Sequence, residues 1–517
     1  VSYYFQAEIA RPCAAVTAAC LLTRRPLFLE LGGFDEKHYA VSMNDVDYCM
    51  RLAQRGLRVV YVGSVELFHD QSQTRSRRDD PAELAHFKDV YRNARDIHYN
   101  PNLSNVHSYE LDSGCHLDYE VYLDRPVRAL MVTHNLNLEG ATKSLYELAA
   151  GLNTGGRVRP TILSPVGGIG EQWYRDAGVD VRIQDLPNCR NILEGWPSKA
   201  DYEASIERVL GVIEEERPDV AIANTLNGFY VVDAATRAGI PSIWIIRESY
   251  SREQMRRSIN TFVLSNCEHA FADAYQVVFV SADTMRLYER YHRRHNFLVV
   301  HNGLDARRID EFIGQVGKAE AVRTIRAPAG KKIVTTVGTI CERKEQCTLA
   351  EAVAILRRQR DDFCCYIVGL REGIPYVEKL RRIIRDNHLE EMVKLIPETD
   401  EVRPYLRAAD IFAFTSRIEA FSRTVLEAEA FGLPIVTTPC YGIHEQVRAE
   451  VNGLMFDMSD APALARHLAT LLDDDQKRIW MGRNSRKVFD YLRTYDEMVE
   501  RYERLIFGAW MRGPLEG

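Results

Sequence analysis

The chain has 517 residues, 46% hydrophobic and 27% charged; this is a globular composition in a chain too long for one core, so two to four domains are predicted. A formal net charge of -7 excludes a general nucleic-acid footprint. No window approaches eighteen uncharged apolar residues, so no membrane-spanning helix is predicted, and Val1–Glu8 lacks the basic-then-apolar order of a signal peptide.

Eleven cysteines are scattered without paired metal spacing, the usage expected in a reducing cytosol, and a cytoplasmic protein is predicted. Basic clusters occur at Arg75, Arg77 and Arg78, at Arg252, Arg256 and Arg257, and at Arg358 and Arg360. They read either as solvated faces or as a peripheral contact with anionic lipid at the inner face of a membrane.

In chain order, residues 1–105 form a first section and 106–125 a polar linker. A two-part body follows, 126–307 and 308–484, and 485–517 carries a helical tail, Ser485–Phe507, expected to brace the two parts. Val127–Thr133 predicts a strand, His134–Gly140 its loop, and Ala141–Ala149 an amphipathic helix with Leu145, Leu148 and Ala149 on one face. Further strands are predicted at Pro160–Ser164, Asp219–Asn224, Ser242–Ile246 and Gln276–Val280, with helical patterns between them. This alternation predicts a parallel sheet covered on both faces.

The pattern restarts after residue 310. Strands are predicted at Lys332–Gly338, Asp362–Gly369 and Val393–Ile396, and helices at Gln346–Arg358 and Tyr376–Asn387. Two successive α/β domains place a ligand cleft between them. Asp410–Thr415 and Leu433–Thr438 read as the next two strands, so Glu419 falls in a loop after a strand and Glu427 one to two turns into the following helix. Carboxylates at that end of parallel strands face the ligand crevice. A carboxylate only accepts hydrogen bonds, so it matches vicinal hydroxyls that donate.

Arg343 and Lys344 follow the strand ending at Gly338, and a planar fork beside a point charge suits a diphosphate. Two basic residues before a helix are equally often surface decoration. Gly140 and Ala141 open a helix whose free N–H groups suit phosphate, with glycine allowing close approach. This is not a P-loop, since the Gly-Lys-Ser/Thr ending is absent. Ser422 is placed to cap the helix of Glu427, whose Thr424 and Val425 N–H groups then face phosphate.

Residues 126–507 resemble retaining glycosyltransferases of family 4, which have the GT-B fold of two Rossmann-like domains. The resemblance rests on the Glu419 to Glu427 spacing, Gly432-Leu433-Pro434-Ile435-Val436, Gly442-Ile443-His444-Glu445, Asn452-Gly453-Leu454-Met455-Phe456 and Asn302-Gly303-Leu304-Asp305. It implies Glu419 at the donor sugar or its reacting end, Glu427 at the ribose, and Arg343 and Lys344 at the diphosphate without a metal or cofactor. Thr339 stands where family members often place an arginine, a charge that Arg343 is expected to supply. His134 is expected near the donor sugar, and Glu248 and Arg247 on the acceptor side. A structural histidine, or a salt bridge of Glu248 with Arg247 or Arg252, remains open. The implied partners are a UDP-sugar or GDP-sugar donor and a glycan or lipid-linked glycan of bacterial surface polysaccharide. An epimerase or hydrolase of the same architecture, and a glycan-binding protein without turnover, are the competing readings.

Within 1–105, Ala15–Arg25, Gly32–Glu36, Asn44–Leu52, Leu67-Phe68-His69 and Tyr99–Leu103 resemble the acceptor half of inverting glycosyltransferases of family 2, a partial GT-A-like domain. The resemblance implies Asp45 as the base, beside Asp47, and His69 as a metal ligand. The nucleotide-binding half is missing from the front of the chain, so an inactive section is expected, either truncated or a remnant. Asp45 and Asp47 also read as solvated carboxylates at a helix start.

Overall fold

The computed structural model describes residues 10–40, 42–62, 65, 81–91, 125–186, 189, 195–492 and 495–512. It comprises two units, Val1–Asp124 and Arg125–Gly517. His69, the Arg75 cluster, Tyr99–Leu103 and, apart from Arg125, the expected linker lie outside the described residues.

In the first unit, β1 (Arg11–Cys13) pairs antiparallel with β2 (Val59–Tyr61). The helix Asn44–Gln54 places Tyr48, Cys49 and Leu52 on one face, at the spacing of successive turns, and buries them with Val59. Phe28 and Phe34 close this core, their ring centroids 5.2 and 5.8 Å from that of Tyr48.

The first lobe of the second unit is a parallel sheet of β3 (Val127–Val132), β4 (Val158–Ser164), β5 (Asp180–Ile183), β6 (Val220–Asn224), β7 (Ser242–Ile246), β8 (Gln276–Phe279) and β9 (Phe297–Val299). Their order is β5-β4-β3-β6-β7-β8-β9. The period of two sends Leu130, Val132, Ala221, Ala223, Trp244 and Ile246 into one core with the helices Lys199–Glu216, Phe229–Ala238 and Thr261–Asp273. The helices Gly140–Gly155 and Tyr495–Arg512 also pack on this sheet. The edge strands β5 and β9 are additions to the predicted set. β5 is short, exposed at its ends and broken by Arg182; β9 is three residues long, within the apolar run Phe297–Val300 that the predicted set passed over.

The second lobe repeats the plan with β10 (Lys332–Val337), β11 (Phe363–Leu370), β12 (Val393–Pro397), β13 (Ile411–Phe414), β14 (Ile435–Thr437) and β15 (Gly453–Met455), ordered β12-β11-β10-β13-β14-β15 and parallel throughout. Adjacent cysteines show its two faces. Cys365 packs in the core with residues of the helices Gln346–Arg357 and Ala461–Asp473, and Cys364 packs with Ala321 and Ala408.

The expected single tail helix is two. Asp475–Tyr491 packs on the helix Arg423–Ala430 of the second lobe, and Tyr495–Arg512 returns to the helix Gly140–Gly155 of the first. Gly151 makes the return possible, because a Cβ there would sit 2.5 Å from Val499 Cγ2. Tyr495 Oη donates to the Glu147 carbonyl at 2.8 Å, and Arg157 pairs with Glu503 at 3.2 Å. Among the described residues no helix is long and apolar enough to cross a membrane.

Candidate active site

In each lobe the strand order reverses beside its first strand, between β4 and β6 around β3 and between β11 and β13 around β10. Ligands of open α/β sheets bind at the carboxyl ends beside such reversals. A cavity of about 420 Å³ lies there, walled by segments that follow β3, β7, β10, β11, β12 and β13.

On the second-lobe wall, Glu419 follows β13. Its Oε2 accepts from Lys344 Nζ at 2.5 Å and lies 3.5 Å from Arg343 Nη1. Burial alone raises the Glu419 carboxyl, but Lys344 and then Arg343 outweigh it and hold the group below the ordinary carboxylate range. Both loops are fixed by the backbone: Arg417 N–H donates to Arg343 O at 2.9 Å, and the Thr415 hydroxyl to Lys344 O at 2.7 Å. Gly442 allows the Glu419 loop its course, since a Cβ there would fall 1.7 Å from Ala420 O.

Glu427 sits on the helix Arg423–Ala430, and its Oε1 accepts from Arg423 Nε at 3.0 Å. The other two Arg423 nitrogens bind Glu147 of the first lobe, Nη2 at 2.8 Å from Oε1 and Nη1 to Oε2. Ser422 caps this helix as expected, its hydroxyl accepting from Val425 N–H at 3.4 Å. That bond corrects the phosphate role of Val425. Its N–H is directed at the cap and its side chain is fully buried, whereas Thr424 lines the cavity.

On the first-lobe wall, Gly140 and Ala141 line the cavity, and a Cβ on Gly140 would meet no atom within 4 Å. His134 is corrected as a direct sugar contact. It is 4% exposed and sits behind Glu139, with Nε2 3.0 Å from Glu139 Oε2, while Glu139 lines the cavity. Glu248 accepts from the Leu226 and Arg247 backbone N–H groups at 2.6 and 3.1 Å. Burial raises its carboxyl above the usual range against the pull of those donors. The expected alternative of a side-chain salt bridge from Glu248 to Arg247 or Arg252 is not formed. Arg247 binds Asn224 Oδ1 and Asn302 Oδ1 instead, and Arg252 lies 3.8 Å from Glu268.

Several cavity groups carried no clear sequence signal. Arg371 follows β11 and pairs with Glu398 at 2.7 Å, while Thr339 donates to the other Glu398 oxygen at 3.4 Å. Lys143 reaches across to Asp400 at 2.9 Å. Spacing shows Arg371 only as another cation after a strand, and nothing local shows Lys143 and Asp400 as partners. Among the described residues no three His, Cys, Asp or Glu side chains converge as a metal-ligand set.

In the first unit, Asp47 is buried and satisfied rather than solvated, pairing with Arg51 at 2.7 Å and accepting from the Tyr91 hydroxyl at 2.6 Å. This arrangement is structural. Asp45 Oδ2 accepts from Ala18 N–H at 2.9 Å.

Comparison with known proteins matches residues 139–303 to the model "Glycosyl transferase 4-like domain" and 318–488 to "Glycosyl transferases group 1". Neither segment includes the first 138 residues. The D-inositol 3-phosphate glycosyltransferase of Salinispora tropica is 31% identical over 224 residues, 40% of this chain and 45% of that protein. The lipopolysaccharide core biosynthesis glycosyltransferase LpsE of Rhizobium meliloti is 28% identical over 204 residues, 39% of this chain and 58% of that one. The chain thus spans about half the length of these curated relatives. Among solved structures, a glycosyltransferase from Rickettsia africae superposes with TM-score 0.63 at 16% identity, covering 74% of this chain and 98% of its own. Anabaena HepE, in complex with UDP and glucose, gives TM-score 0.60 at 19% identity, covering 73% and 98%. The two lobes have the GT-B architecture, and their matched segments are glycosyltransferase-type domains.

Proposed function

We propose that this chain transfers a sugar from a uridine or guanosine diphosphate sugar to a glycan or lipid-linked glycan, with retention at the anomeric carbon. The observation that carries the reading is the group Glu419, Lys344 and Arg343, held together at the carboxyl ends of β10 and β13 in a cavity between the lobes. Lys344 and Arg343 neutralise the charge that grows on the departing diphosphate, and ionised Glu419 favours positive charge developing on the sugar. The anomeric carbon–phosphate oxygen bond breaks and the acceptor oxygen bonds to that carbon on the same face. The acceptor proton passes to the leaving phosphate oxygen.

Glu427 takes the ribose hydroxyls in this reading. Gly140, Ala141 and Thr424 approach the phosphates, and His134 orients Glu139 from behind. The curated relatives named above, and the complex of Anabaena HepE with UDP-glucose, support a nucleotide-sugar donor. A bacterial surface-polysaccharide acceptor fits the name of the Rhizobium relative, a lipopolysaccharide core biosynthesis glycosyltransferase, and transfer in the cytoplasm at the inner face of the membrane is part of the same proposal. Donor consumption with the product anomer assigned by NMR tests the reading. A glycoside of retained configuration supports it; free sugar supports hydrolysis, a changed sugar on the nucleotide supports epimerisation, and no turnover supports binding alone.

A further inference from the structure

Arg247 differs from every other cation on the cavity wall. Lys143, Arg343, Lys344, Arg371 and Arg423 each have a carboxylate within 4.0 Å. Among the described residues the Arg247 guanidinium has none. Its Nε and Nη1 donate to the neutral amide oxygens of Asn224 and Asn302 at 2.7 and 2.5 Å. The adjacent carboxylate, Glu248, points instead at two backbone N–H groups.

The amides that hold the guanidinium are themselves fixed. Asn224 Nδ2 donates to Thr133 Oγ1 and Ala141 O, each at 3.4 Å, and Asn302 Nδ2 to Phe421 O at 3.5 Å. A partly buried cation with no carboxylate in contact is a costly arrangement. A guanidinium aimed by two fixed amides presents its remaining N–H groups in a set direction, the geometry that recognises carboxylate or phosphate. The diphosphate cations proposed above, Arg343 and Lys344, belong to the other lobe.

We propose that Arg247 marks a subsite for a second anionic group, a carboxylate or phosphate on the transferred sugar or the acceptor, separate from the donor diphosphate. The inference rests on the glycosyl-transfer reading and makes Arg247 a specificity-determining residue.

The test is calorimetry on the whole chain as wild type, Arg247→Gln and Arg247→Lys. The probes are UDP and GDP alone, UDP-glucose against UDP-glucuronic acid, and methyl glucoside against methyl glucuronide and glycerol against glycerol phosphate with nucleotide present. One anionic probe is expected to bind at least about tenfold tighter than its neutral counterpart, with bare-nucleotide affinity changed less than about twofold by either substitution. Arg247→Gln abolishes the preference and Arg247→Lys retains part of it. The nucleotide-sugar pair locates the anion on the donor sugar, and the other pairs locate it on the acceptor. Absence of any anionic preference in the wild type overturns the proposal, whether or not Arg247→Gln folds. So does a loss of bare-nucleotide affinity in Arg247→Gln as large as in Arg343→Gln, which assigns the guanidinium to the diphosphate. If neither nucleotide binds but a glucuronide preference vanishes in Arg247→Gln, the transfer reading fails and the anion subsite stands.

Discussion

Arg423 binds Glu147, 276 positions away in the other lobe, through two guanidinium nitrogens, and binds Glu427 through the third. One cation therefore joins the lobes and also holds the carboxylate proposed for the ribose. Glu147→Gln keeps the side-chain shape and removes the charge, so the chain is expected to lose about 1.5–3 kcal/mol of stability, the range for a hydrogen bond to a charged group. Denaturant midpoints measure this. An unchanged midpoint makes the lobe contact energetically idle.

Glu427→Ala leaves Arg423 paired with Glu147 and removes the acceptor proposed for the ribose hydroxyls. Loss of a charged hydrogen bond, about 1.5 kcal/mol or more, corresponds to roughly tenfold weaker nucleotide-sugar binding. Calorimetry with UDP-sugars and GDP-sugars checks it. Wild-type affinity in the variant removes the ribose role.

Glu419→Gln separates turnover from binding. In the proposed reaction its charge acts where positive charge develops, so kcat is expected to fall by about 100-fold or more while donor affinity changes far less. The pH dependence follows from its cations. Lys344 and Arg343 lower the folded carboxyl below the ordinary glutamate value of 4.5. The resulting stability is present above that value and lost as pH falls through the lowered one. Wild type should show an acid-side loss that Glu419→Gln lacks, and parallel acid titrations of both would argue against the ion pairs.

The two lobes and the loop position of Glu419 were legible because β3, β4, β6, β7, β10, β11 and β13 are apolar runs buried in sheet interiors. Edge strand β5 is half exposed and carries no such run, while β9 lies in the four-residue apolar run Phe297–Val300, too short for periodicity alone to assign it to a strand. Arg423 and Glu427 are four positions apart on one helix, a local pairing that spacing shows. Their partner Glu147 comes from another lobe, and no local pattern encodes a contact across 276 positions. Ser422 was legible as a cap, but the cap's claim on the Val425 N–H was a matter of geometry. His134 was placed correctly after its strand, yet the side-chain direction that sets it behind Glu139 has no sequence signature.

Gly442→Ala tests the support of the Glu419 loop. The added methyl meets Ala420 O at 1.7 Å and Ser281 Cβ at 2.8 Å, so backbone must move. Overpacking of this kind costs about 1–3 kcal/mol. Because Ala420 adjoins Glu419, turnover should fall alongside stability, as read by thermal melting and initial rates. Melting lowered with turnover intact would show that the loop tolerates displacement.

Glu429 gives a prediction of opposite sign to Glu419. It is fully buried, with Oε1 accepting from Asn452 Nδ2 at 3.0 Å and Oε2 lacking a hydrogen-bond partner among the described residues. Burial raises its carboxyl well above the ordinary glutamate value of 4.5, with the Asn452 bond opposing. The folded chain then holds a proton that the unfolded chain releases above that value, so this group costs stability as pH rises. Glu429→Gln keeps the shape and an acceptor for Asn452 without a titrating proton. The variant should gain on wild type as pH rises from about 4.5 toward neutrality, starting from the unfolded-state carboxyl range. Denaturation series across that range measure the difference, and a gap that narrows with rising pH would show that Glu429 is ionised in the fold.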